Sequence, residues 1–162
     1  MDEIYIRYIT TTGLERTAGF RTDVEEISLD LRDMESVDLL PLIWCAKMKT
    51  LNIRNNRLTT IDLTPLSRCV NLEALRLNNN LLSEINLAPL SDCPHIQEVD
   101  IRGNKIRSLD LSPLFHCTEL IDLKLDDEVS LTADLLLRSI GSWPDVLVNK
   151  FHKILWKVSE ES

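Results

Sequence analysis

A repeat of 24 residues dominates the middle of the chain and constrains its fold more than any other feature. Four consecutive blocks begin at Ile27, Leu51, Leu75 and Val99, without insertions between them. Their consensus is LxLxxNxLxxIDLxPLxxCxxLxx, with proline and cysteine at the same offset in every block. A fifth block begins at Leu123 and soon loses the pattern. One such unit cannot bury its apolar face alone, so the pattern predicts a stack of similar units.

Each block predicts a strand, a turn and a short helix. Its first residues alternate between apolar and polar, as a strand with one buried face requires. Asp62, Asn86 and Asp110 follow, and such side chains cap their own backbone in turns. A Thr or Ser before the proline is suited to capping the N-terminus of a short α- or 3₁₀ helix. We therefore expect parallel strands on one side of the stack and short helices on the other.

The run Leu72-Leu75-Leu77-Asn80-Leu82 fits the leucine-rich-repeat signature LxxLxLxxNxL. The PLxxCxxL ending is similar to the cysteine-containing subclass of these repeats. Over about residues 24–128 the chain thus resembles the leucine-rich-repeat family, intracellular type. The resemblance implies an α/β solenoid: a right-handed superhelix with a parallel concave sheet and short convex helices. It also implies that Asn56, Asn80 and Asn104 bond to the backbone of the tight turn, as a buried ladder of satisfied amides.

Both ends of an open solenoid must be sealed. We interpret residues 1–162 as one domain, with an N-terminal cap (1–23), about five repeats (24–128) and a helical C-terminal cap (129–162). Residues 3–9 alternate like a strand that pairs with the first repeat.

A helix is predicted from Thr132 to Ile140, closed by Gly141, and a second helix from Ser142 onward. The inward stripe of this second helix is predicted as Trp143, Leu147, Phe151, Ile154, Leu155 and Val158. Trp156 falls outside the stripe, either as a partly covered aromatic residue or as an interface anchor.

The four cysteines, Cys45, Cys69, Cys93 and Cys117, recur every 24 residues. Equivalent positions in a stack form a line, whereas zinc needs a tetrahedron, so we predict no metal site. Disulfides between neighbouring repeats stay compatible with the spacing. Buried free thiols are favoured, because each cysteine stands where a small hydrophobic residue is needed. Free thiols are also typical of a reducing compartment.

No sequence motif indicates catalysis. The chain contains no GxSxG, HExxH, CxxC or glycine-rich phosphate loop, and it has only four glycines. His116 precedes Cys117, but neighbouring residues on a helix point in different directions, so we expect no thiol–imidazole pair. We predict that the chain is not an enzyme and needs no cofactor.

Composition narrows the class of partner and the compartment. With 44% hydrophobic residues the chain can bury a core, and its net charge of −8 disfavours nucleic acid and anionic membranes as partners. No apolar run approaches the roughly 18 residues of a membrane span. The start, MDEIYIRYITTT, lacks the features of a signal peptide. We therefore expect a protein of the cytoplasm or the nucleus.

Residues between the core positions of each strand are predicted to face outward on the concave side. In the middle repeats this surface carries five basic residues and one acidic residue, Asp100, whereas both ends of the stack are acidic. An arginine can hold a carboxylate or phosphate with two parallel bonds, which predicts an acidic or phosphorylated partner. The predicted protein-binding residues are Asn52, Arg54, Asn55, Arg57, Arg76, Asn78, Asn79, Asp100, Arg102 and Lys105.

The sequence thus predicts a protein–protein interaction module, an adaptor or regulatory scaffold without catalytic activity. The concave strip measures about 300 Å² in projection, whereas a standard interface buries about 800 Å² per partner. Its ligand would be a peptide or a helix. The alternative is a purely structural or self-assembling solenoid without a dedicated ligand face. We expect a monomer, and no nucleic-acid binding because the concave rows lack aromatic residues.

Overall fold

The computed structural model describes residues 2–140 and 142–158. Within them the strands are β1 (Glu3–Thr10), β2 (Glu15–Arg21), β3 (Glu26–Ser28), β4 (Met34–Val37), β5 (Thr50–Asn52), β6 (Ala74–Arg76), β7 (Glu98–Asp100), β8 (Ser108–Asp110), β9 (Asp122–Lys124), β10 (Ser130–Asp134) and β11 (Ile154–Lys157). The helical elements are α1 (Asp145–Val148) and 3₁₀ helices at Leu40–Trp44, Thr64–Arg68, Ala88–Asp92, Ser112–His116, Leu135–Ser139 and Phe151–Lys153.

The main sheet has five parallel strands in the order β3-β5-β6-β7-β9. Neighbouring strands pair residues that are 24 positions apart, such as Leu51 with Leu75 and Leu75 with Val99. These central residues are fully buried, and the residues beside them point to the other side of the sheet. We call that other side the concave face. The sheet confirms the predicted α/β solenoid.

Short 3₁₀ helices form the opposite, convex side of the stack. The turn before each one is closed by an aspartate or asparagine, as predicted: Asp62 accepts a bond from the Thr64 N–H at 2.9 Å, and Asn86 and Asp110 do the same in their repeats. The predicted capping by Thr or Ser is wrong, because the aspartate or asparagine already takes the free N–H. Ser112 instead accepts a bond from the backbone of Asp134 in the next repeat.

The predicted asparagine ladder is confirmed, and it joins each repeat to the one before it. The Asn80 side-chain amide donates to the carbonyls of Ile53 and Leu77, at 3.0 and 3.1 Å, and accepts from the Leu58 N–H. Asn56 and Asn104 repeat this arrangement one block earlier and one block later. Each amide therefore satisfies backbone groups of two repeats at once.

The cysteines form a second ladder inside the stack. All four are buried and free, which confirms the prediction of reduced core thiols. The Cys93 Sγ–H donates to the Leu66 carbonyl of the preceding repeat at 3.2 Å, and Cys69 and Cys117 donate equivalently to Leu42 and Leu90. Burial, with smaller contributions from the neighbouring thiols, raises the pKa of Cys93 to about 12. These thiols are structural rather than reactive.

The N-terminal end is closed by an antiparallel sheet of order β2-β1-β4. Strand β1 buries Ile4, Ile6 and Tyr8 against the first repeat and exposes the residues between them. Its partner β4 lies within the first repeat and pairs with Tyr8, Ile9 and Thr10, so the predicted pairing with that repeat is confirmed only at the end of β1. Residues 3–9 pair along their whole length with β2.

The predicted helical C-terminal cap is wrong in its secondary structure. Part of the first predicted helix is the strand β10, which pairs in parallel with β8, and the rest is the 3₁₀ helix Leu135–Ser139. The second region ends in β11, which pairs in parallel with β10. Leu155 of the predicted stripe is 62% exposed, because burial in β11 alternates with a period of two. Val158, also in the predicted stripe, lies just beyond β11 and is 77% exposed. Gly141, predicted to close the first helix, lies outside the described residues.

An aromatic cluster closes the C-terminal end instead. Phe115 is 1% exposed, and its ring lies 5.1 Å from that of Trp143 and 5.9 Å from that of Trp156. Phe151 stacks on Trp143, whose Nε1–H donates to the Leu137 carbonyl at 2.9 Å. Trp156 is therefore a half-buried structural residue. The boundaries of the two caps stay predictions.

Candidate functional site

The concave face carries more acidic residues than we predicted. Glu98 and Asp122 stand at the first positions of β7 and β9, two residues before Asp100 and Lys124. Alternate residues of a strand share a face, and Glu98 indeed accepts hydrogen bonds from Arg76 at 2.8 Å and from Lys124 at 3.0 Å. The prediction of a single acidic residue in the middle of this face is therefore wrong.

Four of the predicted binding arginines are paired with carboxylates of the same chain. The pairs are Arg54 with Asp30 at 3.5 Å, Arg57 with Asp33 at 3.8 Å, Arg76 with Glu98 at 2.8 Å and Arg102 with Asp100 at 2.9 Å. Within residues 2–140 and 142–158, Lys105 is exposed and forms no ion pair. The concave face is thus an array of mixed charge rather than a basic patch.

These contacts shift the pKa values of Glu98 and Arg102. Burial raises the pKa of Glu98, but hydrogen bonds from Lys124 and Arg76 outweigh that effect, so its pKa lies below the ordinary value. The hydrogen bond to Asp100 raises the pKa of Arg102. Both groups are charged at neutral pH, and each holds its partner in a fixed position.

Asn52 and Asp100 face the concave side but are buried, which corrects their prediction as surface residues. Each accepts a hydrogen bond from the backbone N–H two residues later, on Arg54 at 3.1 Å and on Arg102 at 3.2 Å. Their exposed fractions are 5% and 4%. They shape the strand ends and leave little surface for a partner.

A row of residues with positive φ runs beside the arginines. Asn55 and Asn79 have φ of 58° and 60°, Gly103 has 67°, and Leu31 holds the same position in the first repeat with 54°. Asparagine and glycine tolerate this conformation, whereas leucine is strained in it. Asn79 donates to Asn55 at 2.9 Å, and Asn55 donates to Asp30 at 3.0 Å. Two of the predicted binding amides are therefore already used internally.

The side chain of Asn78 has a buried acceptor whose hydrogen-bonding capacity is unused by the part of the chain that the structure describes. Its Oδ1 is buried and has no hydrogen-bond partner among the described residues. Register places it between Arg54 and Arg102, in the middle of the concave face. A buried acceptor of this kind favours a donor supplied from outside the chain.

Sequence reasoning missed an apolar patch formed by Tyr5, Leu40, Ile43 and Trp44, which are 58%, 58%, 36% and 62% exposed. Three of them lie on the first 3₁₀ helix. Later repeats carry mostly polar residues at those outward positions: Thr64, Ser67 and Arg68 in the second repeat, and Ala88, Ser91 and Asp92 in the third. Comparison of the blocks at these offsets could have found this patch.

The described residues contain no group of three or more His, Cys, Asp or Glu side chains placed to hold a metal ion. His116 is exposed beside the buried Cys117, as predicted, and His95 lies 3.2 Å from Glu119 on the surface. Within the same described ranges, no helix is long and apolar enough to cross a lipid bilayer.

Part of the chain matches a known protein family. Residues 46–112 match the family model of the leucine-rich repeat. Among solved structures, internalin C2 from Listeria monocytogenes is 23% identical, with 64% of this chain and 48% of that one covered and a TM-score of 0.46. A second internalin from the same species (inlF) is 19% identical, with coverages of 69% and 41% and a TM-score of 0.48.

The chain spans less than half of the length of these two internalins. No curated protein matches it. The family match falls on blocks that contribute β5, β6 and β7 of the parallel sheet and most of the two internal ladders. The repeats of residues 46–112 belong to the leucine-rich-repeat family.

Proposed function

We propose that this chain is a non-catalytic protein-binding module that recognises a polypeptide segment on its concave face. Leucine-rich-repeat domains generally mediate protein–protein interaction and are typically not enzymes. The observation that carries the proposal is the set of concave arginines held in place by carboxylates of the same chain. A side chain that is already ordered loses less entropy when a ligand binds it.

The arginines keep donor groups for a ligand. Arg76 and Arg102 each use Nε and Nη2 on one carboxylate, which leaves the other edge of the planar guanidinium free. Arg54 and Arg57 have longer contacts, and their side chains are 43% and 66% exposed. We infer that acidic or phosphorylated residues of the ligand bind to Arg54, Arg57 and Lys105.

The acidic residues restrict this ligand. Asp30 lies beside Arg54, and Glu98 lies between Arg76 and Lys124, so a uniformly acidic segment would meet like charges. The proposed ligand therefore carries spaced carboxylates or phosphates, with neutral or basic residues between them. We further propose a role as an adaptor or scaffold in the cytoplasm or the nucleus, which the free, buried cysteines support.

A peptide-display selection against the immobilised chain tests the proposal. Enriched peptides should contain Asp or Glu and should bind at least about tenfold more weakly to the double variant Arg54→Glu/Arg57→Glu, because like charges would then meet. Arg68→Glu is the matched control, since Arg68 is exposed on the convex side of the same repeat. Both variants should melt within a few degrees of the wild type, because surface ion pairs such as Arg54–Asp30 and Arg57–Asp33 contribute at most about 1 kcal/mol each.

A second variant, Trp44→Arg, separates the concave face from the apolar patch. It introduces the residue type found at the same offset in the next repeat, Arg68. Unchanged peptide binding by Trp44→Arg supports the concave face. Loss of binding in Trp44→Arg alone, equal binding by all variants, or failure to enrich any peptide contradicts the proposed function.

A further inference from the structure

Strand β2 is an open edge of the N-terminal sheet. The sheet order is β2-β1-β4, and within the described residues β2 pairs with β1 alone. Its seven residues, Glu15–Arg21, have the sequence ERTAGFR and are mostly exposed. An exposed edge of this length offers its backbone groups to another strand.

Hydrogen bonds at the two ends of the β1–β2 hairpin show which backbone groups point outward. Thr22 N–H donates to the Asp2 carbonyl at 3.0 Å, and Thr10 N–H donates to the Leu14 carbonyl at 2.9 Å. Bonded pairs alternate along antiparallel strands, so the even-numbered residues of β2 direct their backbone groups toward β1. The odd-numbered residues, Glu15, Thr17, Gly19 and Arg21, direct their N–H and C=O groups to the open edge.

The sequence of this edge is complementary to itself in the antiparallel direction. With Ala18 opposite Ala18 of a second copy, Glu15 of each copy lies opposite Arg21 of the other, and Thr17 lies opposite Gly19. Every outward-directed residue then meets another outward-directed residue, which is the condition for ladder hydrogen bonds. Twofold symmetry forms the charge pair twice, and opposite charges directly across a sheet are stabilising.

Neighbouring registers lose this complementarity. A shift by one residue places outward-directed groups opposite groups already bonded to β1. A pairing centred on Gly19 places Glu15 opposite Asp23, which is a like-charge pair, and one centred on Thr17 places it opposite Gly19. In the single chain Arg21 contacts Asp23 at 2.9 Å with its side chain 70% exposed, so it remains accessible to a second copy.

Side chains beside the edge would also be covered. Tyr5, 58% exposed, lies over Gly19: a Cβ added there would be 3.2 Å from the tyrosine ring. In the paired arrangement Gly19 faces Thr17 of the second copy, so this ring lies next to the line along which the two β2 strands pair. On the other side of the sheet Phe20, which is partly exposed, would lie opposite Arg16, a contact that aromatic and guanidinium groups favour.

We propose that two copies of this chain form a symmetric dimer by antiparallel pairing of their β2 edges in this register. The pairing is strand addition between identical edges. It uses no residue of the concave face, and it replaces the monomer expected from the sequence. The paired β2 segment is short, so we expect a dimer that dissociates on dilution.

Charge exchange tests the dimer and its register. Sedimentation of the full chain over a wide concentration range should show dimerisation. Glu15→Arg and Arg21→Glu should each weaken it by at least about tenfold, because repulsion replaces both symmetric pairs. The double variant Glu15→Arg/Arg21→Glu should restore dimerisation to near the wild-type value. A monomeric wild type, single variants that dimerise normally, or a double variant that fails to recover would overturn the proposal.

Cross-linking gives a second readout that does not depend on charge. Glu15 of one copy lies opposite Arg21 of the other in a hydrogen-bonded pair, where Cα atoms lie about 5.5 Å apart, within the disulfide range of about 4.4–6.8 Å. Both residues are exposed, so the double variant Glu15→Cys/Arg21→Cys should form a disulfide-linked dimer under mild oxidation. Glu15→Cys alone is the control, because its two copies would lie about 20 Å apart. The native cysteines are buried and contribute little background. Equal cross-linking of the two variants contradicts the register.

Discussion

The middle repeats and the two ends of this solenoid are held together by different kinds of contact. In the middle, an asparagine and a cysteine of each repeat bond to backbone carbonyls of the repeat before it. At the N-terminal end Arg32 stands at the asparagine position, and an antiparallel sheet covers the first repeat. At the C-terminal end four aromatic rings and a parallel strand close the stack. Repetition thus stabilises the middle, whereas contacts made only once stabilise the ends.

We expect the largest loss of stability from a substitution at the C-terminal end. Trp156→Ala should lower the free energy of unfolding by about 3 kcal/mol, because it removes a large ring from the aromatic cluster. Leu155→Ala should change it by less than about 1 kcal/mol, since Leu155 is 62% exposed on the same strand. Urea denaturation followed by circular dichroism measures both. The reverse order would support the helical cap expected from the sequence.

A smaller loss of stability should follow from removing the hydrogen bonds of one ladder asparagine in the middle repeats. Asn80→Ala leaves the buried Leu58 N–H without its partner and should cost about 2 kcal/mol. Asn79→Gly is the matched control: it removes a neighbouring, exposed amide and keeps the positive φ of 60° accessible. We expect it to cost less than about 1 kcal/mol. Equal losses in the two variants would show that the ladder does not stabilise the middle repeats specifically.

The buried thiols predict a dependence of stability on alkaline pH. The pKa of Cys93 is raised to about 12 from an ordinary value of 9.0. The contribution of this buried thiol to the free energy of unfolding is therefore fully present below pH 9. It is lost as pH rises from 9 toward 12, because the thiol of the unfolded chain ionises in this range before the buried thiol does. At pH 10 the loss is about 1.4 kcal/mol for such a thiol.

Cys93→Ala tests this dependence, since its unfolding free energy should fall less steeply between pH 8 and pH 10 than that of the wild type. Cys45→Ala, at the first repeat, should flatten the curve less, because burial alone raises the pKa of Cys45, whereas neighbouring thiols also act on Cys93. Parallel curves for the wild type and Cys93→Ala would contradict the prediction.

The smallest effect that we expect is a gain of stability from a substitution at the N-terminal end. Leu31 is 75% exposed and has φ of 54°, whereas the next two repeats place Asn55 and Asn79 at this position. Leu31→Asn should raise the free energy of unfolding by about 0.5–1 kcal/mol, because asparagine tolerates this conformation. A thermal melt of the two proteins checks it. A destabilised variant would show that the leucine side chain makes a favourable contact that outweighs the strain.

Sequence periodicity was sufficient for the main features that recur in each repeat, although it assigned helix capping to Thr or Ser instead of the preceding Asp or Asn. The strand register, the role of Asn80 and the burial of Cys93 all follow from their offsets within the 24-residue block. The C-terminal end was not predictable in this way. Ser130 and Leu131 form a strand because Ser108 and Leu109 lie beside them, and this pairing depends on the repeat stacked below.

The charge of the concave face escaped sequence reasoning for a local reason. Glu98 and Asp122 precede the first core residue of their strands, at the end of the preceding block, and were therefore not counted with the strand. The arginines of the face and Asp100 were predicted to lie there, but the pairing of these arginines with carboxylates was not predicted. Pairing of long side chains is decided by strand geometry, which the repeat pattern does not show.

Six ladder side chains donate to a carbonyl of the preceding repeat: Asn56, Asn80, Asn104, Cys69, Cys93 and Cys117. During synthesis, each new repeat therefore meets acceptors that have already left the ribosome, so the stack can grow from its N-terminus without waiting for later segments. A duplicated 24-residue block would find the same donors and acceptors on both sides. The number of repeats is consequently fixed by where the end structures occur, and a gene encoding such a chain can change its length in whole blocks.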